Sequence, residues 1–227
     1  MNAIFDILLQ GAGALILTAS AQSPAAVVEE MQGSVPGIQF MDYVDPGRVI
    51  RLGAHDRIVL GYLKSCWRET ISGGTVTVGA EQSEVAGGEV ARAKVACEGG
   101  KMMLSAELAG KSGAMVFRQA PKPQAAATPH PEFTLYGLSP VFEVRPPGKL
   151  VVERLDQPGE RHEIAVTEHQ LVRGAFLDFA KSGVALAPGG IYRAKLADQE
   201  IVFKIDPDAK PGDAPLVGRL ARLQARP

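Results

Sequence analysis

From Val27 onward, apolar and polar positions recur in short runs that are cut by glycine and proline. Val27–Met31, Val49–Leu52, Arg57–Lys64, Trp67–Ile71, Thr75–Val78 and Val90–Ala96 are short aliphatic and threonine-bearing segments, with the length and composition of strands rather than helices. In Thr75–Val78 the threonines face one way and the valines the other, the period-two pattern of a half-buried strand. Turn signals stand between the runs: Asp45-Pro46-Gly47, His55-Asp56, Ser72-Gly73-Gly74 and Ala86-Gly87-Gly88. Such residues favour reversal of the chain. Met102–Leu104 and Ala114–Phe117 read as closing strands of this first region.

Gln119–Pro131 interrupts the pattern with four prolines among small polar residues. That composition favours extended, semi-rigid chain and packs no core, which marks a domain boundary. Strand runs resume at Phe133–Tyr136, Val141–Val144, Lys149–Arg154, Glu163–Val166, Ala175–Phe179, Ile191–Leu196 and Glu200–Ile205, separated by signals such as Pro146-Pro147-Gly148 and Pro188-Gly189-Gly190. A helix over Thr167–Phe179 is the alternative for the middle. The predicted fold is therefore mainly β. Two small β domains, at 24–118 and 132–210, flank a linker at 119–131, and the second has the strand spacing of an immunoglobulin-like sandwich. The Cys and Trp marks of true immunoglobulin domains are absent, so the expectation concerns architecture only.

The two ends carry different patterns. Ile4–Leu17 is nearly all apolar or small, and Ala19-Ser20-Ala21 follows with the small-x-small motif that signal peptidase reads. This predicts an export signal over residues 1–21, cleaved after Ala21. Its first six residues hold no Lys or Arg and include Asp6. The other reading is a retained anchor, for which the apolar run is short. In the tail, 211–227, Leu216, Leu220 and Leu223 fall at helical spacing with Arg219, Arg222 and Arg226 elsewhere on the surface. Leu216, Arg219, Leu220, Arg222 and Leu223 are thus a candidate docking element for a partner or anionic lipid headgroups. A last strand or helix packed on its own domain is the competing reading.

Composition narrows the class. The 24 basic residues offset 25 acidic ones, whereas a nucleic-acid-binding domain is normally distinctly basic. Apolar residues make up 46 % of the chain, enough for real cores and against wholesale disorder. The two cysteines, Cys66 and Cys97, are far from C-x-x-C spacing, and no four-ligand metal set forms around them. A disulfide between them fits an exported chain in an oxidising compartment. It would close a ring of about 32 residues, worth roughly 3.7 kcal/mol in the chain-entropy treatment before native strain is subtracted.

Val28-Glu-Glu-Met-Gln-Gly33, then Val44-Asp-Pro-Gly-Arg-Val-Ile-Arg-Leu-Gly53 and Arg57-Ile-Val-Leu60, resemble the FecR-type periplasmic domain. In that family a G-x-V strand precedes a G-x-x-I-x-x-G turn and a following strand. The resemblance covers about a third of the chain and rests on glycine and aliphatic positions. The Cys66–Cys97 insert departs from the usual pattern. What it implies is an envelope β module with a sensing or scaffolding role, and it transfers no functional residue.

Candidate chemistry is sparse. Arg161-His-Glu-Ile-Ala-Val-Thr-Glu-His169 gathers two histidines and two glutamates but is not H-E-x-x-H. On a strand, His162 and His169 would face opposite ways. Ser72, Ser83, Ser139 and Ser182 lie near Gly or Pro, none of them in G-x-S-x-G. The paired glycines lack the Gly-Lys-Ser/Thr of a phosphate loop and read as hairpin turns. Trp67, beside Cys66, is a candidate aromatic anchor for a partner, or else a residue packed on the disulfide. The expectation is a non-enzymatic, periplasmic or secreted protein without cofactor or metal that binds a protein partner or polymer. The alternatives are a ligand sensor feeding a membrane partner and a hydrolase-like periplasmic enzyme whose site is assembled from scattered residues.

Overall fold

A computed structural model describes residues 23–98, 129–211 and 214–225 of the chain. The expected export signal, the expected strands Met102–Leu104 and Ala114–Phe117, and most of the Pro-rich stretch lie outside the described residues. Within them the protein is mainly β, with antiparallel pairing predominant and only two short 3-10 turns.

The N-terminal sheet is formed by β1 (Ala26–Gln32), β2 (Tyr43–Val44), β3 (Val49–Tyr62), β4 (Trp67–Val78), β5 (Ser83–Ala86) and β6 (Glu89–Lys94). Its order is β2-β1-β3-β4-β5, with β6 also on β4. Two expected turns prove to be bends inside long strands. His55-Asp56 lies within β3, where the register jumps between Leu52 and Arg57, so the chain bulges instead of reversing. Ser72-Gly73-Gly74 lies within β4, and both glycines have positive φ, +65° and +81°. Only glycine takes that conformation without steric cost, and there it kinks the strand. The neighbouring edge breaks to match, with β5 on Thr75–Val78 and β6 on Trp67–Ser72. With the sheet bent this way, Ile50, Leu52, Val76 and Val78 share one core with Ile58, Leu60, Tyr62 and Ile71.

The C-terminal region has two sheets packed face to face. One runs β10 (Arg161–Ala165), β9 (Lys149–Arg154), β12 (Ile191–Leu196), β13 (Gln199–Ile205) and β15 (Gln224–Ala225), with β7 (Phe133–Leu135) parallel to β13. The other is a three-stranded sheet: β11 (Phe176–Asp178), β8 (Val141–Glu143) and β14 (Leu220–Arg222), the last parallel to β8. Phe142 of the small sheet meets Phe203 of the large one edge-on, centroids 5.9 Å apart, and Tyr192 stacks on Phe203. The expected strand at Ala175–Phe179 forms over Phe176–Asp178, and of the alternative helix over Thr167–Phe179 only the 3-10 turn Glu168–Gln170 is present.

The small sheet is the middle layer of the molecule. The registers place Leu177, Phe142 and Ala221 in one row, and that row enters the core shared with the large sheet. The opposite face carries Val141, Phe176 and Leu220, which pack on Val27, Met41 and Leu63 of the N-terminal region. A sheet covered on both faces reads as continuous apolar sequence, and Val141-Phe142, Phe176-Leu177 and Leu220-Ala221 are such pairs.

Candidate functional site at the junction of the two regions

The junction begins in β1. Ala26 and Val28 point into the N-terminal core, Val27 points to the other side, and all three are fully buried. The register shifts between Val28 and Glu30, which places Glu29 at an irregularity. Its carboxylate is buried and accepts the Val217 N–H at 2.8 Å from the C-terminal region and Arg68 Nε at 2.7 Å from β4. A buried carboxylate demands such partners, because desolvation without them costs several kcal/mol.

A second polar group crosses the junction around Tyr43. Its hydroxyl donates to Glu143 Oε2 at 3.0 Å and accepts from Arg222 Nε at 2.9 Å, and the Arg222 guanidinium lies 4.1 Å from the centre of its ring. Burial, reinforced by the Glu143 carboxylate, pushes the Tyr43 phenol far above its ordinary value, although Arg222 works against the shift. Tyr43 is therefore a protonated donor and not a nucleophile. Nearby, Arg173 reaches Asp42 at 3.0 Å. Beneath the seam, buried Asp178 takes a two-pronged contact from Arg219, at 2.7 and 3.2 Å. Arg219 also donates to the Ser139 carbonyl. Among the described residues each of these charges is matched by its opposite, and the contacts of Glu29, Tyr43 and Arg173 tie the two regions together.

The sequence-derived candidates fall into three places. Cys66 and Cys97 are bonded, their Cα atoms 5.7 Å apart. Trp67 is half-buried against the N-terminal core, with Lys94 Nζ 4.2 Å from the centre of its ring. The tail does not form the amphipathic helix its spacing suggested. Leu216–Gly218 is a 3-10 turn and Leu220–Arg222 is strand. Leu216 and Leu220 are buried in the junction, Arg219 and Arg222 are engaged by Asp178 and Tyr43, and Leu223 packs on the C-terminal core. The structure thus brings Cys97 and four of the five tail residues to the seam and leaves Trp67 in a different core. His162 lies on β10 with Nε2 3.7 Å from Glu160, and His169 is exposed on the 3-10 turn. Among the described residues, no group of three or more His, Cys, Asp or Glu is placed to hold a metal, and no helix is long and apolar enough to cross a membrane.

Sequence reasoning missed Glu29, Tyr43, Glu143 and Asp178. The signal available was small: Glu29-Glu30 follows four apolar residues in Ala25–Val28, a run too apolar for a strand with one wet face. Clefts open along the seam. One, of about 380 Å³, lies between Ala96, Tyr136, Asp206 and Lys210. Another, of about 160 Å³, lies between Phe40, Arg68, Pro215 and Arg219. Comparison of the chain with protein-family models, curated proteins and solved structures found no match.

Proposed function

We propose that this protein is a non-enzymatic, exported component of the bacterial cell envelope, a rigid two-region β scaffold that holds a protein partner. The observation that carries this reading is the junction itself. Across it Glu29 accepts from Val217, and Tyr43 engages Glu143 and Arg222, while Arg219 and Asp178 pair on its C-terminal side, which suits fixing two binding surfaces in register better than turning over a substrate. The disulfide supports an oxidising compartment. The resemblance of Val28–Gly33 and Val44–Gly53 to FecR-type periplasmic domains supports a scaffolding or sensing role. The face-to-face packing of the C-terminal sheets supports reading that region as immunoglobulin-like.

The exposed edge strand β6 offers a place for a partner to add a strand, a common mode of peptide recognition. The test is expression in a Gram-negative host with a photo-crosslinking residue at Ala93, followed by fractionation. The expected result is oxidised protein in the periplasm and one discrete crosslinked species that is lost when the probe is moved to buried Ala194. Cytoplasmic protein with free thiols would overturn the export reading. A hydrolytic activity that copurifies with the protein and is abolished by a point substitution in it would overturn the non-enzymatic one.

A further inference from the structure

The disulfide lies at the edge of the junction and not in the middle of the N-terminal core. Strand β6 ends at Lys94, and Val95, Ala96 and Cys97 then leave the sheet and cross to the C-terminal region. Val95 and Cys97 pack, partly buried, on the cluster formed by Val27, Leu63, Leu216 and Leu220. The Ala96 carbonyl presses on Gly218 so closely that a Cβ there would come within 2.6 Å of its oxygen. Ala96 also forms one wall of the 380 Å³ cleft. Besides its continuation from β6, two contacts at Cys66 hold this segment to the N-terminal region. One is the Val95 N–H donated to the Cys66 carbonyl at 3.0 Å, and the other is the Cys66–Cys97 bond. Cys66 itself has φ +56°, a left-handed conformation disfavoured for a residue with a Cβ. Both cysteines are half-buried, and Cys97 packs on the junction cluster.

We propose that the Cys66–Cys97 bond is a redox latch on the junction. Closed, it holds residues 95–97 between the regions. Opened, it releases them, so that the seam loosens and the cleft widens. The reaction is thiol–disulfide exchange with a dithiol reductant. One thiolate of the reductant attacks a sulfur of the pair and forms a mixed disulfide, expelling the other cysteine as thiolate. The second thiol of the reductant then displaces the remaining cysteine. The protein gains two electrons and two protons and carries two thiols, and the reductant leaves as its own disulfide. The C-terminal sandwich needs no part of this segment for its core, so opening the latch leaves it folded.

Residue-resolved amide exchange on the whole chain, with and without dithiothreitol, tests the proposal. Val217, which donates to Glu29, and Tyr136, which donates to the Gly218 carbonyl, report on the seam. Ala194, paired on both sides in β12, reports on the sandwich. Once mass analysis shows both thiols free, Val217 and Tyr136 should exchange faster by about an order of magnitude or more, and Ala194 should change far less. Reoxidation should restore the slow rates. The variant C66S/C97S should exchange fast with or without reductant, and if it does not fold the wild-type comparison still decides. Seam amides that keep their oxidised rates after reduction would overturn the proposal. So would acceleration of Ala194 in step with them, which would make the bond a staple of the whole fold. A bond that dithiothreitol cannot open in the native protein would overturn it as well.

Discussion

Glu29, Glu69 and Asp178 are the buried carboxylates among the described residues, and each is met by an arginine. What removal of each costs depends on where its arginine can go. The Arg219 side chain is only 17 % exposed, so Asp178→Ala should strand a desolvated cation and destabilise by about 3–5 kcal/mol. Arg92, the partner of Glu69, is 32 % exposed and can turn to water. Glu69→Ala mainly orphans the buried Ser83 N–H and should cost about 1–3 kcal/mol. Urea titration of the two variants checks the order. The tyrosines set an alkaline limit. Burial pushes Tyr62 up to about 12 and holds Tyr43 and Tyr192 higher, against about 10 in the unfolded chain. The folded state therefore keeps protons that the unfolded state loses. Their stabilising contribution is complete below about pH 10 and declines as pH rises through 12, by about 1.4 kcal/mol per pH unit for each tyrosine. With four tyrosines in the chain, tyrosinate absorbance from more than one of them before structure is lost would contradict this.

At the scale of elements, the bend in β4 brings the two halves of the N-terminal sheet onto one core, and Gly74 tests it. Its φ is +81°, and a Cβ there would lie 2.5 Å from the Ala86 carbonyl oxygen. Gly74→Ala should lose at least about 1–2 kcal/mol from conformation alone, measurable as a lower denaturant midpoint with an unchanged m-value. This site also shows where legibility stopped. Val49–Leu52, Arg57–Lys64, Trp67–Ile71 and Thr75–Val78 were all readable as strand, but paired glycines mark a reversal and a kink equally well. Only the pairing of β3 with β4 decides between them. In the tail, the reading of a last strand packed on its own domain matches Leu220–Arg222 on β8, but the helical spacing of the leucines does not make a helix. Leu216, Leu220 and Leu223 match a helical stripe by spacing, yet the first sits on a 3-10 turn and the second on a three-residue strand parallel to β8. Periodicity cannot be established over so few residues. The junction was invisible because its residues lie far apart in the chain: Glu29 meets Val217 and Tyr43 meets Arg222.

At the scale of the whole molecule, the small sheet of β8, β11 and β14 gives one face to each neighbour, so neither region is complete alone. Leu220, fully buried in the junction, is the residue through which the coupling is best interrupted. Leu220→Ala should cost about 2–5 kcal/mol by leaving a cavity, and Leu220→Asp should uncouple the two regions. The central claim is that the junction makes one cooperative unit of two β regions. Scanning calorimetry of the oxidised wild-type protein tests it most directly. A single transition whose calorimetric and van't Hoff enthalpies agree is expected, splitting into two in Leu220→Asp. Two separate transitions in the wild-type protein, neither displaced by that substitution, would contradict it.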